Sequence, residues 1–322
     1  FALVTILILG IASAGGISAV IDNIKEIPGF FEFFGIARPE LVDGVQQLAK
    51  DGKPLFKEAG NYGWLTIIST LSWGLGYFGI PQVLIRFMAI RKTEELSKSR
   101  RIATIWCCVS LFAAVSIGLI GRTLYPAELL TLSEGESIFV LMSTNLLPAL
   151  LAGVVMAGIL AATISSSDSY LLIAASAFSK NIYQGILKKD ASDKQVMLIS
   201  RVVLIIISLF GVIIALDENS IIFNVVSFAW AGFGATFGPI MLFSLFWKRT
   251  SRAGAIAGML AGGGMVFFWK LVLKPLGGVF AIYELLPAFI ISSLAIIIVS
   301  ILSKEPSKEI LEEFQLAKTV EG

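Results

Sequence analysis

Eight apolar runs, most of them about as long as a bilayer is thick, leave this chain little choice of solvent. They are Phe1–Ile21, Trp64–Ile85, Ile102–Gly121, Ile138–Ser179, Val196–Leu216, Ile221–Trp247, Ala253–Trp269 and Leu285–Leu302. At a rise of about 1.5 Å per residue, about 20 residues cross the hydrocarbon. Seven runs therefore cross once each, while the fourth is too long for one crossing. Pro148 divides it into a short surface helix, Ser137–Leu147, and a span over Leu150–Ile173. Only 15% of residues are charged, where soluble domains carry about a quarter. In lipid each span must satisfy its own backbone, so the expected fold is an all-α bundle of about eight transmembrane helices over residues 1–302. The chain is apolar from Phe1 onward, and more chain is expected upstream.

The loops orient the bundle. Arg86, Arg91, Lys92, Lys98, Arg100 and Arg101 follow the second run; Lys180, Lys188, Lys189 and Lys194 follow the fourth; Lys248, Arg249 and Arg252 follow the sixth. The intervening loops are mixed or acidic, such as Asp217-Glu218-Asn219 and the stretch with Arg122, Glu128, Glu134 and Glu136. Basic loops stay in the cytoplasm, so alternate loops agree on one topology with both ends cytoplasmic. Residues 22–63 then form a long outer loop punctuated by Gly29, Gly35, Pro39 and Pro54, with room for one short helix, and 303–322 form a solvated cytoplasmic tail around Glu309, Glu312, Glu313 and Lys318.

Composition also excludes functions. The net charge of +2 is spread over short loops and gives no nucleic-acid footprint. Histidine is absent, which removes the commonest proton shuttle and metal ligand. Cys107 and Cys108 are adjacent in an apolar run; helix neighbours point apart, so they read as unbridged. With a single convincing intramembrane carboxylate, no acid–base pair can be assembled, and an enzyme is the weakest reading.

Three runs carry chemistry. The second reads Trp73-Gly74-Leu75-Gly76-Tyr77-Phe78-Gly79-Ile80-Pro81. Three glycines and a proline weaken the helix in mid-membrane, a break tolerated only where protein or a water-filled cavity satisfies the backbone. On α-helical spacing Trp73, Tyr77 and Pro81 stripe one face, where indole and phenol could grip a small amphipathic solute. A glycine-lined helix contact with packed aromatics fits the same spacing. The fourth run holds Ala162, Ser165, Ser166 and Asp168. The Ala162 carbonyl and the Ser165 and Ser166 hydroxyls share a face and offer oxygen ligands to a hard cation such as Na⁺, although hydroxyls bonding back to their own helix explain a serine run as well. Asp168 is costly at membrane depth and reads as part of an ion pathway. The sixth run, Ala229-Trp230-Ala231-Gly232-Phe233-Gly234-Ala235 and then Phe237-Gly238-Pro239, suits either close packing or a hinge.

These runs resemble the sodium/solute symporter family, and within it the proline carriers. The likeness rests on Trp73 to Gly79 with Pro81 and Arg86-Phe87-Met88, on Ala229 to Ala235 with Phe237-Gly238-Pro239, on Ser99-Arg100-Arg101, and on Asn181 and Tyr183. It extends over essentially the whole chain. It implies an inverted-repeat fold of the leucine-transporter type. The first run would close repeat one, runs two to six would form repeat two, and runs seven and eight would be accessory, with about five helices preceding them in the bacterial plasma membrane. It also implies a Na⁺ site shared between the serine-bearing helix and a broken helix of those preceding ones, so that Ala162, Ser165 and Ser166 form half a site. The family's frequent threonine at the second hydroxyl position is Ser166 here, which keeps the oxygen ligand.

The function so implied is sodium-driven uptake of a small organic solute, proline first, with no organic cofactor. The same family with a sugar, vitamin or other amino acid is the alternative. A membrane sensor input domain is a different class, and the short charged tail argues against it.

Overall fold

The computed structural model describes residues 2–217 and 221–319. Phe1, residues 218–220 with Glu218 and Asn219 of the acidic loop, residues 320–322 of the tail and the side chains of Lys318 and Thr319 lie outside the described residues.

The first apolar run is not one straight span. It forms α1 (Ala2–Ser13) and α2 (Ile17–Lys25), bent by 77°. Gly15 and Gly16 between them have φ of 88° and 98°, a conformation that only glycine adopts without strain. The following loop contains strands rather than the short helix expected. β1 (Gly35–Pro39) pairs with β4 (Phe56–Asn61), while β2 (Leu41–Val42) and β3 (Val45–Gln46) form an antiparallel hairpin. Its turn, Asp43-Gly44, has positive φ at both residues (51° and 82°), the tight-hairpin signature of Asp-Gly.

The second run is also broken. α3 (Trp64–Ser72) passes into a 3₁₀ stretch, Trp73–Gly79, before α4 (Pro81–Met88). Continuous helices follow in α5 (Glu95–Leu124), the short α6 (Leu132–Gly135), and α7 (Ile138–Leu146). Pro148 then sits at the start of α8 (Ala149–Ser176), which runs on as a π-helix over Ala177–Leu187. The rest of the chain is α9 (Asp193–Ala215), α10 (Ile222–Phe246), α11 (Arg252–Phe268), α12 (Leu285–Leu302) and the tail helix α13 (Lys308–Thr319). Among the described residues six helical stretches are long and apolar enough to cross a membrane, or seven if the bent pair counts as one. The expected count of about eight differs because the second run breaks into pieces each too short to cross alone. The chain is a multi-pass membrane protein built of helices, with short strand pairs confined to the loop between the first two runs.

It divides into two compact units, Phe1–Gly60 with Arg101–Ile221 and Asn61–Arg100 with Ile222–Gly322. In the first, Ile6, Ile117, Ile120 and Met142 gather α1, α5 and α7 into a core with Ala152 and Val155 of α8. Gly10 permits that approach, since a methyl there would sit 2.8 Å from both Ile120 and Met142. Beyond this core α8 and α9 pack on each other and are otherwise mostly exposed. Ala152, Val155 and Ala175 are the buried residues of α8, and Val196 that of α9.

In the second unit small residues let backbones touch. Gly254, Gly258 and Gly262 form one stripe of α11, and added methyls there would overlap Ser300 and Ile296 of α12 and Ala235 of α10. The Ser292 hydroxyl donates to the Gly258 carbonyl across the helix pair at 2.8 Å. Arg249, in the turn before α11, donates to the carbonyls of Ile301 and Ser303, capping the exit of α12.

Candidate functional site

The break in the second run is held by α10. A 3₁₀ helix winds three residues per turn, so Trp73 and Tyr77 do not share a face through α-helical spacing. Trp230 of α10 brings them together. Its indole stacks on Trp73 (5.5 Å, 14°) and meets Tyr77 edge-on (4.7 Å, 81°). Its Nε1–H donates to the Trp73 carbonyl at 3.0 Å, satisfying backbone at the point where α3 gives way to 3₁₀ geometry. Gly76 makes the fit possible, because a side-chain carbon there would overlap the indole. Gly79 lies against the backbone of Phe233 and Gly238, and Gly234 against that of Gly76. Ile80 is extended (φ −84°, ψ 113°), as the residue before a proline prefers, and half-buried Pro81 opens α4. Pro81 thus lies beyond the break, two residues past Gly79 and four past Tyr77.

Trp73 is the centre of a larger aromatic group. Its ring also stacks on Phe223 (5.4 Å) and Tyr283 (5.8 Å). Tyr283 is tied in twice: its hydroxyl donates to the Ser227 carbonyl at 2.6 Å, and its N–H donates to Ser69 Oγ at 3.0 Å. Burial, reinforced by the neighbouring Glu284 charge, pushes the Tyr283 phenol up, so it stays a neutral donor. Beside these rings opens a cavity of about 500 Å³, walled by Trp73, Phe223, Asn224, Ser227, Tyr283 and a charged group. That group is Glu284, fully buried, with Lys274 at 2.7 Å on one oxygen and Lys270 at 3.4 Å from the other. Burial raises the Glu284 carboxyl, but the Lys274 hydrogen bond, its own backbone N–H and the charges of Lys274 and Lys270 outweigh that, leaving it below its ordinary value and ionised.

The serine run lies elsewhere, on α8 in the other unit. Ala162, Ser165, Ser166 and Asp168 are all exposed. The helix is regular through them, so Ala162, Ser165 and Ser166 fall within about 100° of arc, while Asp168 lies about 60° from Ser165 and about 160° from Ser166. Asp168 therefore neighbours Ser165, three residues before it, but not Ser166. Nearby hydroxyls bond back along the helix, Thr163 to the Ile159 carbonyl (3.0 Å) and Ser169 to the Ser165 carbonyl (3.1 Å).

Sequence reasoning missed Trp230 as the clamp and the whole Lys270–Lys274–Glu284 group. A signal existed for the second. Lys270 and Lys274 stand four apart after an apolar run, on one helical face.

Residues 1–262 match the family model described as the Sodium:solute symporter family. The chain is similar to a Sodium/proline symporter of Haemophilus influenzae, 40% identical over 273 residues, which covers 84% of this chain and 54% of that protein. It is 38% identical over 272 residues to the High-affinity proline transporter PutP of Bacillus subtilis (84% of this chain, 57% of the relative), and 39% over 244 to the Osmoregulated proline transporter OpuE of the same organism (76% and 49%). The chain thus spans about half the length of these relatives. With the break at Trp73–Gly79, its aromatic clamp and a match over most of its length, this chain belongs to the sodium:solute symporter family.

Proposed function

We propose that this chain is the C-terminal part of a sodium-coupled carrier that imports a small organic solute, L-proline, by alternating access in a plasma membrane. The observation that carries the reading is the mid-span break at Trp73–Gly79 with its clamp on Trp230, in a chain whose relatives are named for proline. A span interrupted near its middle exposes backbone polar groups where lipid tolerates none, and carriers use such breaks to bind solute and ion. Trp73, Tyr77 and Pro81 line the solute pocket in this reading. The rings supply an apolar wall for a pyrrolidine, and the phenol and indole supply donors.

The Ala162 carbonyl with the Ser165 and Ser166 hydroxyls forms half of the Na⁺ site, and Asp168, one turn beyond Ser165 on α8, belongs to the ion's path. The helices that complete the site come from the part of the carrier outside this chain and cover the bare faces of α8 and α9, whose apolar surface is far larger than their own unit buries. Within the inverted repeat, the first run closes repeat one, runs two to six form repeat two, and α11 and α12 are accessory. The basic loops face the cytoplasm. Coupling needs no covalent step: Na⁺ and solute favour the same conformation, so each raises the other's affinity.

The test is labelled-proline uptake by the full-length carrier in proteoliposomes. Losing one oxygen ligand to Na⁺ costs about 1.4 kcal/mol or more, so Ser165→Ala or Ser166→Ala raises the Na⁺ concentration for half-maximal uptake about tenfold. Unchanged Na⁺ dependence in both variants removes the half-site. Failure of the parent to take up proline removes the solute.

A further inference from the structure

Between α10 and α11 runs an apolar groove of about 310 Å³. Phe228, Gly232, Phe233 and Phe237 line it at helical spacing from α10, and Gly263 and Phe267 face them from α11. No charged side chain lines it. Its floor is bare, since a methyl added at Gly232 would have nothing within 4 Å. Phe228 and Phe267 meet edge-on at one end, 5.3 Å between centroids. From there the groove runs from the second turn of α10 to just past the middle of that helix, at Phe237. Nine residues rise about 14 Å, close to the depth of one leaflet, half of a hydrocarbon core about 30 Å thick. Trp230, which holds the break, lies about 160° round α10 from Gly232, so the groove opens away from the break.

Such a groove takes hydrocarbon, and the charge at its end says which kind. The Lys270 ammonium stands over the Phe228 ring, 5.4 Å from its centroid. Glu284 lies on the other side of it, but that carboxylate is already paired with Lys274 at 2.7 Å. Its Oε1, 3.4 Å from Lys270, accepts no hydrogen bond, so Lys270 is held there by charge alone. Two ammoniums on one carboxylate leave a net charge of +1, and the Lys270 side chain keeps 33% of its surface. We propose that the groove seats one acyl chain of an anionic phospholipid, with the lipid's phosphate accepting from Lys270. Charge complementarity selects the class. A headgroup of net charge −1 neutralises the group, whereas a zwitterionic headgroup brings a cation to a place that already holds one in excess. The site uses neither the serine run nor the residues at the break, so it stands apart from the transport reading.

The experiment uses the full-length carrier in phosphatidylcholine nanodiscs with a trace of photoactivatable lipid. The probe carries a diazirine in mid-chain and either a phosphatidylglycerol or a phosphatidylcholine headgroup, and the labelled peptides are mapped by mass spectrometry. The phosphatidylglycerol probe labels residues 228–237 and 263–267 about fivefold more than its phosphatidylcholine counterpart, the weight of one lysine facing an anionic headgroup. Lys270→Gln abolishes that preference while Lys274 still pairs Glu284, and Lys270→Arg keeps it. Gly232→Leu fills the floor and loses the labelling with both lysines in place. Glycerol 3-phosphate in excess does not compete, because it lacks the chain. Equal labelling by the two probes overturns the proposal and leaves only ordinary surrounding lipid. No labelling of the two stretches overturns it too, and means that the rest of the carrier covers the groove. Preference that survives Lys270→Gln, labelling that survives Gly232→Leu, or displacement by glycerol 3-phosphate does the same. The headgroup comparison on the parent protein needs no variant, so a folding defect in one of them leaves the test decisive.

Discussion

Gly76→Ala against Gly74→Ala tests whether the break is held by Trp230. Both glycines lie in the same 3₁₀ stretch, and neither has a positive φ, so backbone strain does not separate them. Their surroundings do. Around Gly74 nothing lies within 4 Å of an added methyl, whereas at Gly76 the methyl would overlap Trp230 at the nitrogen that donates to the Trp73 carbonyl. The indole must move, or the chain must shift away from α10, whose Gly234 packs on the Gly76 backbone. Leaving the Trp73 carbonyl unpaired costs about 1–3 kcal/mol, and the disturbed stacks on Trp73 and Tyr77 cost about 0.5–1.5 kcal/mol, so Gly76→Ala is destabilising by about 2–4 kcal/mol. Gly74→Ala is close to neutral, within about 0.5 kcal/mol. The assay is thermal unfolding of the detergent-purified carrier, followed by tryptophan fluorescence, with apparent solute affinity measured on the same preparations. Equal melting temperatures for the two alanine variants, or a larger loss at Gly74, would refute the clamp.

Tyr77→Phe removes a phenol donor and leaves the edge-on contact with Trp230 in place. Apparent affinity for proline falls by about 5- to 150-fold with little change in melting temperature, and an unchanged affinity would make Tyr77 a packing residue. In intact cells, an impermeant thiol reagent labels a cysteine at position 217 and spares one at 189; labelling at 189 from outside would invert the topology. Glu284 gives an acid signature. Its carboxyl titrates lower in the folded protein than in the unfolded chain, so its stabilisation is complete above the ordinary glutamate value near about 4.3 and is lost as pH falls through the lowered value. The parent therefore loses more melting temperature between neutral pH and pH about 3 than Glu284→Gln does. At neutral pH that variant is about 1–3 kcal/mol less stable, a smaller loss than for a fully buried pair because both lysines keep some solvent. Equal acid sensitivity in the two proteins would remove Glu284 as the cause.

Much of this architecture is local and therefore legible. The length of an apolar run is set by the thickness of the hydrocarbon, and the runs that became α5, α8, α9, α10, α11 and α12 could be drawn from residue type alone. The break in the second run was equally plain, since three glycines and a proline within nine residues weaken a helix wherever they occur. The kind of break was not. Spacing placed Trp73, Tyr77 and Pro81 on one α-helical face, but the chain there winds as a 3₁₀ helix, and Trp73 and Tyr77 meet through Trp230, 157 residues from Trp73. The bend at Gly15-Gly16 was hidden for a different reason. Glycine permits a positive φ without requiring one, and an apolar run reads the same straight or folded.

The sequence by itself determined the solvent, the helices and their approximate ends, the family, and the residue types offered to ion and solute, because each depends on a contiguous stretch of chain. Tertiary structure decided which of those residues meet. It placed Trp230 in the notch left by Gly76, stacked Tyr283 and Phe223 on Trp73, and buried Glu284 between Lys270 and Lys274. It left Ser165 and Ser166 on an open face. Those outcomes depend on glycine stripes that let α10, α11 and α12 approach to backbone contact. A glycine's worth there is fixed by the distant side chain that fills the space it leaves, which no local pattern encodes.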